Sequence, residues 1–86
     1  MDRCLLPESE LSDFWEVVEK SDTCLRYEID GENESFIRVS DVNGKYALTA
    51  FWNGERLSSS KPILCQDVKH ETRKYMDEIE SRELNE

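Results

Sequence analysis

Two Asn-Gly pairs, Asn43-Gly44 and Asn53-Gly54, constrain this chain more tightly than anything else in it. Both central residues of a type I′ turn need φ > 0, which Asn tolerates and Gly adopts freely. Asn-Gly between strand-type residues is therefore a strong local hairpin signal. Two such signals within Ser35 to Ser58 predict a three-stranded meander. Two-residue turns also fix register, placing Val39 opposite Leu48, Ile37 opposite Ala50 and Phe36 opposite Phe51. Around the second turn, Ala50 falls opposite Leu57 and Phe51 opposite Arg56. Strand side chains alternate between faces. One face then carries Ile37, Val39, Tyr46, Leu48, Ala50, Trp52 and Leu57. The other carries Phe36, Arg38, Ala47, Thr49, Phe51, Arg56 and Ser58. A one-residue slip would turn the apolar set to solvent, so the pattern defends the register and names the core face.

The flanks extend this unit. Cys24 to Ile29 alternates, with Leu25, Tyr27 and Ile29 on one side, and predicts a further strand. Aligning Ile29 with Ile37 sets Glu28 opposite Arg38. Before it, Leu11, Phe14, Trp15 and Val18 follow i, i+3, i+4, i+7 spacing, which predicts a helix from Pro7 or Ser9 to about Lys20. Asp13, Glu16 and Glu19 fall on its opposite arc. After the meander, Val68, Thr72, Tyr75, Met76 and Ile79 form an apolar stripe, with Leu64 one turn earlier. A second helix is expected from Pro62 or Gln66 to about Arg82, with Arg73–Asp77 and Glu78–Arg82 as i, i+4 ion pairs. The predicted fold class is α+β. It is a two-layer α/β arrangement, an antiparallel meander of three to four strands with an N-terminal and a C-terminal helix on one face, in the order α-β-β-β-β-α.

Helix, three-stranded meander, helix resembles the double-stranded-RNA-binding domain in outline. That family grips phosphates with a lysine cluster at the start of its second helix. The matching stretch here, Ser-Ser-Lys-Pro-Ile-Leu-Cys-Gln-Asp, has one lysine amid negative charge. The resemblance covers topology alone, and no RNA-binding function is expected from it.

At 86 residues the chain is expected to form one domain, 1–86, with a small core and no deep substrate cavity. Net charge is −9 and unevenly placed. Residues 1–34 hold eleven acids and three bases, net −8, whereas residues 35–65 are net +2 and residues 66–86 net −3. Long-range repulsion therefore disfavours direct binding to nucleic acid or to an anionic membrane. Three cysteines (Cys4, Cys24 and Cys65) make an odd number without C-x-x-C spacing. This argues against a disulfide scaffold or a zinc site and suits a reducing compartment. The opening MDRCLLPESE lacks a long apolar run, so neither a signal peptide nor a membrane span is expected, and a cytoplasmic location is.

Chemistry-bearing patterns are sparse. His70 and Cys65, five residues apart, fall about 140° apart on a helix and would not face each other. Glu71, Asp77, Glu78 and Glu80 lack a His or Cys in metal-ligand spacing. The three glycines are all turn glycines. No enzyme activity, catalytic residue, metal or cofactor is expected.

Two surfaces remain as candidates for partner binding. The first is acidic, built from Asp13, Glu16, Glu19, Asp22, Asp30, Glu32 and Glu34. A carboxylate array can satisfy Arg and Lys in a basic groove much as phosphates do, as in small inhibitors of nucleic-acid enzymes from phages and mobile elements. The second is the outer sheet face with Phe36, Arg38, Phe51 and Arg56, residue types that anchor interfaces. The expected function is a non-enzymatic protein-binding module, a small acidic inhibitor or adaptor docking on a protein with a basic surface. The alternative is a homo- or hetero-oligomerisation module using the sheet face, which makes a homodimer possible.

Overall fold

The computed structural model describes residues 4–29, 34–59 and 61–85. Five strands follow a short 3-10 turn at Glu8–Glu10: β1 (Trp15–Lys20), β2 (Cys24–Ile29), β3 (Phe36–Val42), β4 (Lys45–Trp52) and β5 (Glu55–Arg56). Among the described residues one long helix, α1 (Cys65–Leu84), follows the strands. The strands form one sheet in sequential order β1-β2-β3-β4-β5, every neighbour antiparallel.

Both hairpin turns form as their residues require. Asn43 and Gly44 sit at φ 54° and 85°, Asn53 and Gly54 at 50° and 83°. All four lie in the left-handed region that type I′ turns need. The register that follows is the expected one, with Phe36 opposite Phe51, Ile37 opposite Ala50, Val39 opposite Leu48 and Phe51 opposite Arg56. Ile37, Val39, Tyr46, Leu48 and Ala50 are buried, and Trp52 and Leu57 are partly buried against them. Ser58 departs from its expected outer position. It is buried, and its Oγ accepts the Ala50 N–H at 3.0 Å.

The first predicted helix does not form. Its span holds the 3-10 turn and then β1, which pairs with β2. Trp15-Glu16-Val17-Val18 is an aromatic and β-branched run, and such side chains lose rotamer freedom in a helix but pack well on a pleated sheet. Over so short a run the helical and alternating patterns coincide. Trp15 is buried and Val17 partly so, while a register shift between Val17 and Glu19 leaves Val18 exposed. The sheet thus has five strands, and the resemblance to the double-stranded-RNA-binding outline fails at its first element.

The β2–β3 register also differs from expectation. Tyr27, not Ile29, lies opposite Ile37, and Arg26, not Glu28, opposite Arg38. A shift of two keeps every residue on its face, so the core is unaltered and only the charge partners change. Glu28 pairs instead along its own strand with Arg26 Nε at 2.7 Å.

The layer over the core face comes from two sources. Helix α1 contributes Val68, Thr72, Met76 and Ile79, all buried, while Leu64 is exposed. The segment before the 3-10 turn contributes Leu5 and Leu6, filling the place expected of a first helix. Tyr27 fixes it there: the buried hydroxyl donates to the Leu6 carbonyl at 2.7 Å. Burial pushes that hydroxyl's pKa up to about 12. Cys4 and Cys65 form a disulfide, with Cα atoms 5.1 Å apart, that joins this segment to the first residue of α1. The reading against a disulfide scaffold is corrected to that extent, and the cysteine argument for a reducing compartment falls with it. A separation of 61 residues leaves no local spacing signal by which the pair could be seen.

Candidate docking surfaces

The sheet's outer face carries two cross-strand rows. Glu16, Glu28, Phe36, Phe51 and Arg56 lie opposite one another in sequence across β1 to β5. Beside them run Glu19, Arg26, Arg38 and Thr49. Four of these groups, Arg26, Glu28, Phe36 and Phe51, are matched to each other. The Arg26 guanidinium sits 3.9 Å above the Phe36 ring, and Phe36 stacks on Phe51 with centroids 5.1 Å apart. Arg26 also pairs with Glu28. Arg56 donates through Nε to the Ser58 carbonyl at 3.1 Å. Arg38 donates to the sulfur of the buried free cysteine, Cys24, at 3.1 Å, and this bond raises the Arg38 pKa.

The expected acidic residues do not gather on a helix, because that helix is a strand. Glu16 and Glu19 stand exposed on the outer sheet face, in the same rows as Phe36, Arg38, Phe51 and Arg56. Asp13 is exposed just before β1, Asp22 in the β1–β2 turn and Glu34 just before β3. Asp30 and Glu32 lie outside the described residues. Two of the seven acids, Glu16 and Glu19, therefore share one face with the aromatic and arginine set, acidic towards β1 and basic towards β5.

A second collection of acids lies elsewhere. Between the 3-10 turn and α1 runs an open cleft of about 290 Å³. Leu6, Leu11, Trp15 and Met76 supply its apolar lining. Glu10, Arg73, Asp77 and Glu80 supply the charge. Arg73, Met76, Asp77 and Glu80 fall at i, i+3, i+4 and i+7, so one face of α1 presents them together. Trp15 Nε1–H donates to Glu80 Oε2 at 3.0 Å. Arg73 pairs with Glu10 of the 3-10 turn and not with Asp77 as its spacing suggests. The Glu78–Arg82 pair forms as expected, at 3.8 Å. Among the described residues Asp77 has no cationic partner, and the cleft's formal charge is −2, from three carboxylates and one guanidinium.

Sequence reasoning missed this site. The helical spacing of Arg73, Asp77 and Glu80 was available to find it. The arrival of Glu10 and Trp15 depends on a path that no local pattern encodes. The lone histidine, His70, is exposed on α1, and Cys65 faces Cys4 rather than His70. Among the described residues no group of His, Cys, Asp and Glu could hold a metal ion, and no helix is long and apolar enough to cross a membrane. Comparison with protein-family models, with curated proteins and with solved structures finds no match to this chain.

Proposed function

We propose that this chain is a non-enzymatic protein-binding module, a small acidic inhibitor or adaptor that docks on a basic protein surface, including a groove that otherwise holds nucleic acid. The observation behind it is the convergence of Glu10, Asp77 and Glu80 on one cleft in a chain of net charge −9. Carboxylates left without cations hold bonding capacity for a partner's Arg and Lys, and the long-range field speeds encounter with a basic surface. The test is capture from lysate with the tagged protein at low and near-molar salt. A docking governed by charge weakens steeply when the Debye length falls to about 3 Å at 1 M. Partners that survive high salt unchanged would refute it.

The second reading is oligomerisation through the outer sheet face. Its favouring observation is the charge gradient from Glu16 to Arg56, since two faces apposed about a twofold axis along the strands set each acidic edge over the other copy's basic edge. Sedimentation at high concentration tests it. A homodimer that Arg56→Glu dissociates is the expected result, and a strict monomer excludes the homodimer.

A further inference from the structure

We propose that the cleft between the 3-10 turn and α1 is the seat of one arginine side chain presented by the partner protein. This deepens the proposed function and rests on it, since it names the point where a basic partner is gripped.

The shape comes first. About 290 Å³ is just below the ~300–1,000 Å³ of small-molecule sites. That volume suits one long side chain better than a nucleotide or a folded segment. The lining combines apolar and charged groups, as such a side chain does. Half-buried Leu11 and the buried Leu6, Trp15 and Met76 line the cleft as contacts for an aliphatic stem, and the same lining holds the carboxylates of Asp77 and Glu80 for a charged head. A neutral apolar occupant would leave those carboxylates beside it without compensation, and an anion would be repelled.

The cleft already shows what its edge recognises. Arg73, on one wall, reaches the carboxylate of Glu10 on the other. With that pair matched, the remaining charge is that of Asp77 and Glu80. Glu80 keeps one oxygen on the Trp15 indole, at 3.0 Å, and Asp77 is open among the described residues. A guanidinium is favoured over an ammonium, because it is more weakly hydrated and its planar fork spans two carboxylate oxygens. The walls are also held before any partner arrives. The Cys4–Cys65 disulfide and the Tyr27–Leu6 bond anchor the N-terminal wall to the rest of the fold. Preorganisation of this kind lowers the cost of binding.

The test uses agmatine, the arginine side chain as a free molecule, titrated into the isotope-labelled full chain and followed by NMR. The expected result is a saturable shift confined to the Trp15 indole N–H, the amides of Met76 to Glu80 and those of Leu6 to Ser12. Butylamine should bind more weakly. Asp77→Asn should weaken agmatine binding about tenfold, as loss of one charge-assisted bond does. Asp77 is exposed, so this variant should fold. Shifts spread evenly over all acidic residues, or none at all, would overturn the proposal. A salt-sensitive partner that bound the Asp77→Asn, Glu80→Gln double variant undiminished would overturn the arginine seat while leaving the acidic-docking reading standing.

Discussion

The outer sheet face and the cleft beside α1 contain the same kinds of residue, aromatic rings, arginines and carboxylates, yet differ in how much bonding capacity they keep. On the sheet, Arg26 sits over the Phe36 ring, Phe51 stacks on it, and Glu28 takes the Arg26 charge. Base stacking or insertion of a partner's ring there would first have to break the ladder. In the cleft the carboxylates outnumber the cations. Composition alone ranks the two regions alike. What separates them is unspent valence, and that is visible only once partners are assigned.

The largest effect that could break this contrast comes from the disulfide. Cys4→Ser with Cys65→Ser removes a link across 61 residues and should cost roughly 2–4 kcal/mol of stability, read by urea unfolding. The variant should lose agmatine shifts in the cleft while the Phe36–Phe51 side keeps its resonances. If both regions changed equally, the two would be one cooperative unit and the comparison would lose its meaning.

Next in size is a pH effect on the same wall. The Tyr27 hydroxyl ionises near 10 when unfolded and near 12 when folded, because burial disfavours the anion. A raised folded value means the stabilisation is complete below about pH 10 and is lost as pH rises towards 12, amounting to roughly 2–3 kcal/mol. Unfolding followed from pH 9 to 12 should show this loss, and Tyr27→Phe should lack it. Tyr27→Phe should also cost roughly 1–3 kcal/mol at neutral pH, since the Leu6 carbonyl is left without its donor. An unchanged alkaline slope in the variant would show that other groups govern it.

These two predictions rest on contacts that the sequence did not disclose, whereas the β3–β4–β5 meander was legible almost residue by residue. Asn43-Gly44 and Asn53-Gly54 carry their conformation in their own chemistry, so turn, register and core face all follow locally. Helix α1 was legible for the same reason, its stripe from Val68 to Ile79 spanning enough turns to exclude other periods. Trp15 to Lys20 was misread because Trp15 and Val18 extend the helical spacing of Leu11 and Phe14 while Trp15 and Val17 alternate as in a strand, and only pairing with β2 decides between them. The cleft was hidden for a different reason. Glu10, Trp15 and Asp77 are brought together by Leu5, Leu6, Tyr27 and the disulfide, long-range contacts that leave no spacing to read.

A smaller effect sharpens the sheet side. The stacked Phe36–Phe51 pair should show a coupling of about 0.5–1.5 kcal/mol in a double-mutant cycle with Phe36→Ala and Phe51→Ala. If the ladder serves stability, neither variant alters capture of a salt-sensitive partner. A loss of capture without loss of stability would move the docking surface from the cleft to the sheet.

The smallest expected change in stability is the most discriminating. Arg73 and Glu10 are both exposed, so their ion pair contributes at most about 1 kcal/mol. Arg73→Gln should therefore barely shift the unfolding midpoint. In the cleft, however, it removes the cation that competes for the rim and frees Glu10, raising the formal charge from −2 to −3. Agmatine should then bind more tightly to Arg73→Gln than to the parent chain, an opposite sign to the loss expected for Asp77→Asn. On the sheet face, Arg38→Gln removes the same charge but opens no apolar cleft, so it should leave agmatine binding unaltered. A merely structural Arg73 would weaken the site when removed, and general counterion attraction would respond to Arg38 and Arg73 alike. Tighter binding in one variant and no change in the other is the pattern that only an arginine seat beside α1 predicts.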